Sequence, residues 1–216
     1  MSSRTTIIIV SILILAVTVA GLLLWNRLPD QMASHWNVND EVDGYMPKVW
    51  GVFMLPLIAL GMFLLFLLIP SIDPLKANIA KFREAFNLFI VLIVAFMVYL
   101  HALTLLWSLG YTGFGMSQAM LPAMGLLFIF AGYLLRRAKR NFFIGIRTPW
   151  TLSSDRVWDR THQVGAILFT ASGVLALLGS FLGGLTAFVM IMVPILGSTL
   201  FLVVYSYVLY QKETKA

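Results

Sequence analysis

The groups in this sequence best suited to chemistry lie close together. Residues 141–152 read Asn-Phe-Phe-Ile-Gly-Ile-Arg-Thr-Pro-Trp-Thr-Leu, and Trp158, Thr161 and His162 follow shortly after. Arg147 brings a planar guanidinium able to fork onto a carboxylate or a phosphate. Thr148 and Thr151 add hydroxyls, and His162 adds an imidazole. No Ser-His-Asp order, HExxH or P-loop pattern accompanies them, so no catalytic constellation is recognisable. Asn141, Phe142, Gly145, Pro149 and Trp150 complete a stretch with large apolar side chains, a Gly, a Pro and one Arg. Such a stretch is built to fold back on the protein or on a membrane surface.

A second group lies in residues 26–48, with His35, Asp40, Glu41 and Asp43 among turn formers. A metal held by His35 and nearby acids is the sharp reading. A single His without a partner at fixed spacing argues against it. An ordered outer cap carrying His35, Trp36, Asn37, Asp43, Gly44 and Tyr45 is the reading taken, with Asn39-Asp40 and Asp43-Gly44 as tight turns. A third group is Asp73, Pro74 and Asn78, where Asp73 before proline starts a turn or a capped interfacial helix. His101 stands alone inside an apolar run, either as a proton or ligand site or as a neutral His bonded to a neighbouring helix.

The elements that carry these groups follow from composition. The 216 residues are 60% hydrophobic and 11% charged, against about 45–50% and about 25% in a soluble domain. The apolar residues cluster into six runs of membrane-spanning length: Thr6–Trp25, Val49–Ile69, Phe86–Trp107, Met116–Leu135, Val164–Leu182 and Leu185–Tyr207. Lipid offers backbone groups no partner, so each run is expected to be a helix. The expected fold is therefore all-α and polytopic, with an ordered amphipathic loop between spans four and five. The first run is expected to be an uncleaved anchor. Two parts are expected: 1–115, three spans with the acidic outer loop, and 116–216, three spans carrying the loop 136–163. With no cysteine in the chain, disulfide and thiolate chemistry are excluded.

Charge orients the spans. Of the 15 Lys and Arg residues, 13 fall at the N-terminus, in loops two and four, or at the C-terminus, and Arg27 and Lys48 fall in loop one. The positive-inside rule puts both termini in the cytoplasm. The net charge of +6 then reads as basic loops facing anionic lipid heads, with no direct nucleic-acid contact.

Within loop four, Thr148 precedes Pro149 and should be extended. Thr151, Ser153 or Ser154 is expected to cap an amphipathic interfacial helix through His162. Trp158 and His162 share one face of it, and Val157, Trp158 and Thr161 turn inward.

Residues 141–152, followed by Val157-Trp158 and Arg160-Thr161-His162, resemble the signature of the SdpI-type immunity proteins of bacterial membranes. Leu28-Pro29, His35-Trp36-Asn37 and Asp43-Gly44-Tyr45 resemble the short domain of unknown function that often precedes that signature. Asp73-Pro74-Leu75-Lys76 with Asn78 is similar to the family's second loop. The resemblance runs from about residue 10 to 200. It implies a bacterial inner-membrane protein without cofactor or metal that gives resistance to a secreted toxic peptide. It also implies sequestration of a small transcriptional repressor as a second role. Loop one would meet the toxin, and loop four would face the cytoplasm. The rival class is a membrane enzyme or small transporter acting on a lipid or other amphiphile, with Arg147, Thr151 and His162 as its polar site.

Overall fold

The computed structural model describes residues 1–215. Among them run α1 (Ser3–Leu24), a 3-10 turn (Trp25–Arg27), β1 (Gln31–Trp36), β2 (Val42–Pro47), α2 (Lys48–Ile72), α3 (Lys76–Ala80), α4 (Arg83–Ser108), α5 (Met116–Arg137), α6 (Pro149–Ser153), α7 (Asp155–Gly179) and α8 (Gly184–Thr214). Six of these helices, α1, α2, α4, α5, α7 and α8, are long and apolar enough to cross a membrane. Their lipid-facing sides are as apolar as their contacts, so the sequence shows no amphipathic stripe for these spans to follow. Pro56, Pro122 and Pro194 are accommodated inside α2, α5 and α8.

α1, α2 and α4 pack together, and α5 packs on α7, which packs on α8; α4 also touches α5. The α5–α7 contact is made backbone to backbone. A Cβ on Gly125 would meet the Gly173 carbonyl oxygen at 2.7 Å, and one on Gly132 would meet the Ala166 carbonyl oxygen at 2.7 Å. Small residues permit this approach, and dispersion rewards it in lipid. The main core runs from Val10 of α1 through Phe63, Phe86 and Ile90 to Ile144 and Trp158. Loop four is thus continuous with the core.

The minor sheet is an addition to the all-helical expectation. β1 and β2 form an antiparallel hairpin with Gln31 opposite Pro47 and Trp36 opposite Val42. The chain reverses at residues 37–41. Asn37 Oδ1 accepts from the Asn39 and Glu41 amides, and Asp40 adopts φ 62°. The tight turn expected at Asp43-Gly44 is therefore corrected. Both residues lie in β2, where the register shifts opposite His35. Glycine suits that irregularity because a Cβ on Gly44 would approach the His35 Cβ to 2.9 Å.

Hydrogen bonds sort the loops onto two ends. The Ser117 amide, in the first turn of α5, donates to Asp40 at 2.7 Å, which seats the hairpin beside loop three. At the other end Asn87 donates to the Met1 carbonyl at 3.1 Å, and Ser154 donates to Glu213 at 2.7 Å. The N-terminus, loop two, loop four and the end of α8 therefore share one end of the bundle.

The separate interfacial helix expected in loop four is also corrected. Ser154 caps α7, accepting from the Val157 amide at 3.2 Å, and the helix runs unbroken from Asp155 to Gly179. Trp158 and His162 belong to the first turns of span five itself. Nor does Asp73 cap α3; it ends α2, and Leu75 occupies the position before α3.

Candidate functional site

Loop four leaves α5 at Ala138 and closes into a knot of backbone turns around two polar side chains and a capping box. Asn141 is fully buried. Its Oδ1 accepts from the Phe143 and Ile144 amides at 2.9 and 2.6 Å. Its Nδ2 donates to the carbonyls of Lys139 and Ile144 at 2.8 and 2.9 Å. One amide side chain thus replaces a stretch of backbone pairing, which lets an irregular loop be buried.

His162 is the second. Nε2 accepts from the Ile146 amide at 3.0 Å, and Nδ1 lies 2.9 Å from the Trp158 carbonyl. An amide only donates and a carbonyl only accepts, so the partners assign a neutral ring with its proton on Nδ1. The ring stacks on Trp158 at 3.9 Å between centroids, and the Trp158 indole N–H donates to the Ala138 carbonyl at 3.0 Å. Gly145 fits beside it at φ 115°, where a Cβ would fall on His162 Nε2.

The third element is a capping box. Thr148 Oγ1 accepts from the Thr151 amide at 3.1 Å, and Thr151 Oγ1 accepts from the Thr148 amide at 2.9 Å. Thr151 also donates to the Ile146 carbonyl at 2.8 Å. Pro149 occupies the first turn of α6, where its missing N–H costs nothing. Thr148 meets Ser206 of α8 at 3.0 Å, and Trp150 packs against Tyr207 at 5.0 Å between centroids.

The second-loop candidates join this knot. Asp73 is buried; one carboxylate oxygen accepts from the Leu75 amide at 2.6 Å and the other from the Phe142 amide at 2.9 Å. Asn78 donates to the Arg140 carbonyl at 2.9 Å. Pro74 is exposed and only shapes the turn. Arg140 is clamped in turn, by Asp155 at 2.7 Å and by the Leu152 carbonyl at 2.8 Å.

Two side chains stand at the surface of the knot. Arg147 is exposed, and its Nη1 donates to the Phe142 carbonyl at 2.8 Å. Phe142 is 43% exposed, whereas Ile144 beside it is buried. Thr161 is buried as expected, and its hydroxyl has no partner among the described residues. Sequence reasoning missed Ser206, an isolated hydroxyl in an apolar helix. Its position in a span, where polar groups need partners, was the available signal.

The loop-one candidates sit at the opposite end. His35 and Asp43 pair at 2.5 Å across the hairpin, both exposed. Trp36 meets Trp107 edge to face at 5.7 Å. Asn37 holds the turn, and Tyr45 is 65% exposed. The acids diverge, with Asp40 committed to Ser117 and Glu41 to Asn37. Among the described residues no three His, Asp or Glu side chains converge as a metal site would need. His101 is buried in α4 against the α1 side of the bundle, and both its ring nitrogens lack partners among the described residues.

The chain can therefore present a rigid knot at one end and a hairpin cap at the other. In the knot, the polar atoms of Thr151 and His162 are spent on the loop's own backbone.

Residues 137–206 match the model of the SdpI/YfhL protein family, and residues 12–60 match a domain of unknown function (DUF1648). The chain is 27% identical over 190 residues, 87% of its length and 88% of the relative's, to a Bacillus subtilis (strain 168) protein named Immunity protein SdpI. No solved structure matches it. The knot, the loop that braces it and the hairpin all fall within these matches; the chain is a multi-pass membrane protein that is similar to the SdpI/YfhL family over residues 137–206 and to the DUF1648 domain over residues 12–60.

Proposed function

We propose that this protein protects the bacterium that makes it from a secreted toxic peptide, by binding and without catalysis. The observation that carries this reading is the similarity to an immunity protein across both ends of the molecule. In this reading the protein lies in the cytoplasmic membrane with both termini inside, as the 13-to-2 division of Lys and Arg supports. The hairpin then faces outward with His35, Trp36 and Asn37, and the knot faces the cytoplasm. The halves 1–115 and 116–216 divide the work, the first carrying the outer cap and the second the knot.

The knot is the candidate surface for a cytoplasmic partner such as a small transcriptional repressor. Its interior is locked by Asn141, His162 and the capping box, while Phe142 and Arg147 are held out from it. A rigid loop that exposes an aromatic ring and a guanidinium offers the side chains that anchor protein interfaces.

The test uses the native host. A strain lacking the gene is grown in spent medium from the intact strain, with and without a plasmid copy. Growth arrest that the plasmid reverses supports protection. A deletion strain that grows as the intact strain does overturns it.

A further inference from the structure

Beneath the hairpin the two groups of helices do not close on each other. They leave a cavity of about 630 Å³ between β1, α2, α4, α5 and α8, a size typical of ligand pockets. Four of the chain's 11 methionines line it, Met116, Met120 and Met124 from α5 and Met192 from α8. Unbranched thioether side chains adapt to irregular apolar shapes and are used at surfaces that accept varied apolar partners.

The polar part of the wall narrows the ligand class. Among the lining residues there is no Lys, Arg, Asp or Glu. The one ionisable lining side chain, His35, is paired with Asp43, so a phosphate or an ammonium group would find no free countercharge there, which disfavours a phospholipid headgroup. The wall instead carries neutral polar side chains; Asn37 is spent on its own turn and Thr104 donates to the Leu100 carbonyl, which leaves Trp36 and Ser117 for a ligand. The Trp36 indole N–H is buried without an acceptor among the described residues. Apolar side chains with neutral donors and acceptors among them are what an uncharged peptide segment presents, whereas an acyl chain would leave the polar groups unused.

We infer that this cavity holds an apolar, uncharged segment of a secreted peptide, removing it from the bilayer. The inference rests on the protective reading above and adds where, and by what chemistry, the peptide is held. Hairpin and cavity act together, because Asp40 fixes the cap to the start of α5, from which three of the methionines project.

The experiment places p-benzoylphenylalanine at Met120, and as a control at Leu126, which is exposed on α5 outside the cavity. Cells of the deletion strain carrying each variant are irradiated with and without spent medium of the intact strain, and adducts are weighed by mass spectrometry. A peptide adduct at Met120 that requires the medium, and is absent at Leu126, is expected. A phospholipid adduct alone at Met120, or no adduct that depends on the medium, overturns the proposal. In parallel, Met120→Trp and Met192→Phe fill the cavity, and Met120→Leu keeps its size. At equal amounts in the membrane, filling should lower the tolerated dose of medium about tenfold, as a loss of about 1.4 kcal/mol of binding would. The Leu variant should protect like wild type. Full protection by both filled variants overturns the cavity alone. Failure of the wild type to protect overturns the reading beneath it, and the proposal with it.

Discussion

The Asp73 carboxylate accepts the Phe142 amide at 2.9 Å across 69 positions of sequence, so the second loop holds the fourth. Its other oxygen closes its own turn on Leu75. Asp73→Ala leaves two amides without their acceptor, each costing about 1–3 kcal/mol if it stays buried. Asp73→Asn keeps one oxygen acceptor and most of the shape, and should cost less. Thermal unfolding in detergent should rank wild type above Asn above Ala. Equal melting of all three would show that the bridge contributes nothing.

Gly145 and His162 should behave as one unit. Gly145→Ala forces a side chain into a backbone conformation that disfavours it and drives the Cβ onto the imidazole that holds Ile146. Strain of this kind costs about 1–3 kcal/mol. His162→Ala by itself removes the acceptor of the Ile146 amide and the stack on Trp158. In the double variant the collision is gone. Its loss of stability should therefore fall short of the sum of the single losses by at least ~0.5 kcal/mol, as for residues in contact. Strict additivity would place the two residues apart.

Phe142→Ala and Arg147→Ala should separate partner binding from folding. Both side chains are exposed, and Arg147 spends one donor on one carbonyl. Surface substitutions of this kind stay within about 0.5 kcal/mol, so melting should not move. Retention of a cytoplasmic partner, scored by co-purification from membranes, should drop in both. A large fall in melting temperature would mean that the knot needs these side chains for its own stability.

Alkaline phosphatase fused after Asn39 should be active, and fused to the C-terminus it should be silent. The reverse pattern would invert the orientation taken from charge.

The six spans were legible because lipid leaves the backbone a single solution, and composition alone reports it. The shared face of Trp158 and His162 was legible because helical spacing dictates it. The hairpin was not, since the strands Gln31–Trp36 and Val42–Pro47 lack a clean alternation of apolar and polar residues. Asp43-Gly44 misled because a dipeptide that favours turns also suits an irregular strand register. The pairing of Asp73 with Phe142 had no local signal. A carboxylate before proline explains itself as a turn, and nothing in its neighbourhood points to a partner so far along the chain. The exposure of Arg147 had no local signal either, because a lone charge among apolar residues fits burial against a partner as well as the outward turn that the backbone gives it.

The glycine contacts between α5 and α7 have a mechanical consequence. Helices separated by side chains can slip, as rotamers change to absorb the motion. Where carbonyls meet Gly125, Gly132 and Gly173 directly, no soft layer remains. α5 carries Met120 and Met124 near one end and feeds loop four at the other, and α7 receives the chain from that loop. A displacement imposed beside the methionines must then arrive at the knot as a tilt of the pair as one lever. Spin labels on facing turns of α5 and α7 should keep their separation while both move relative to α4, and a changed separation would show slippage instead.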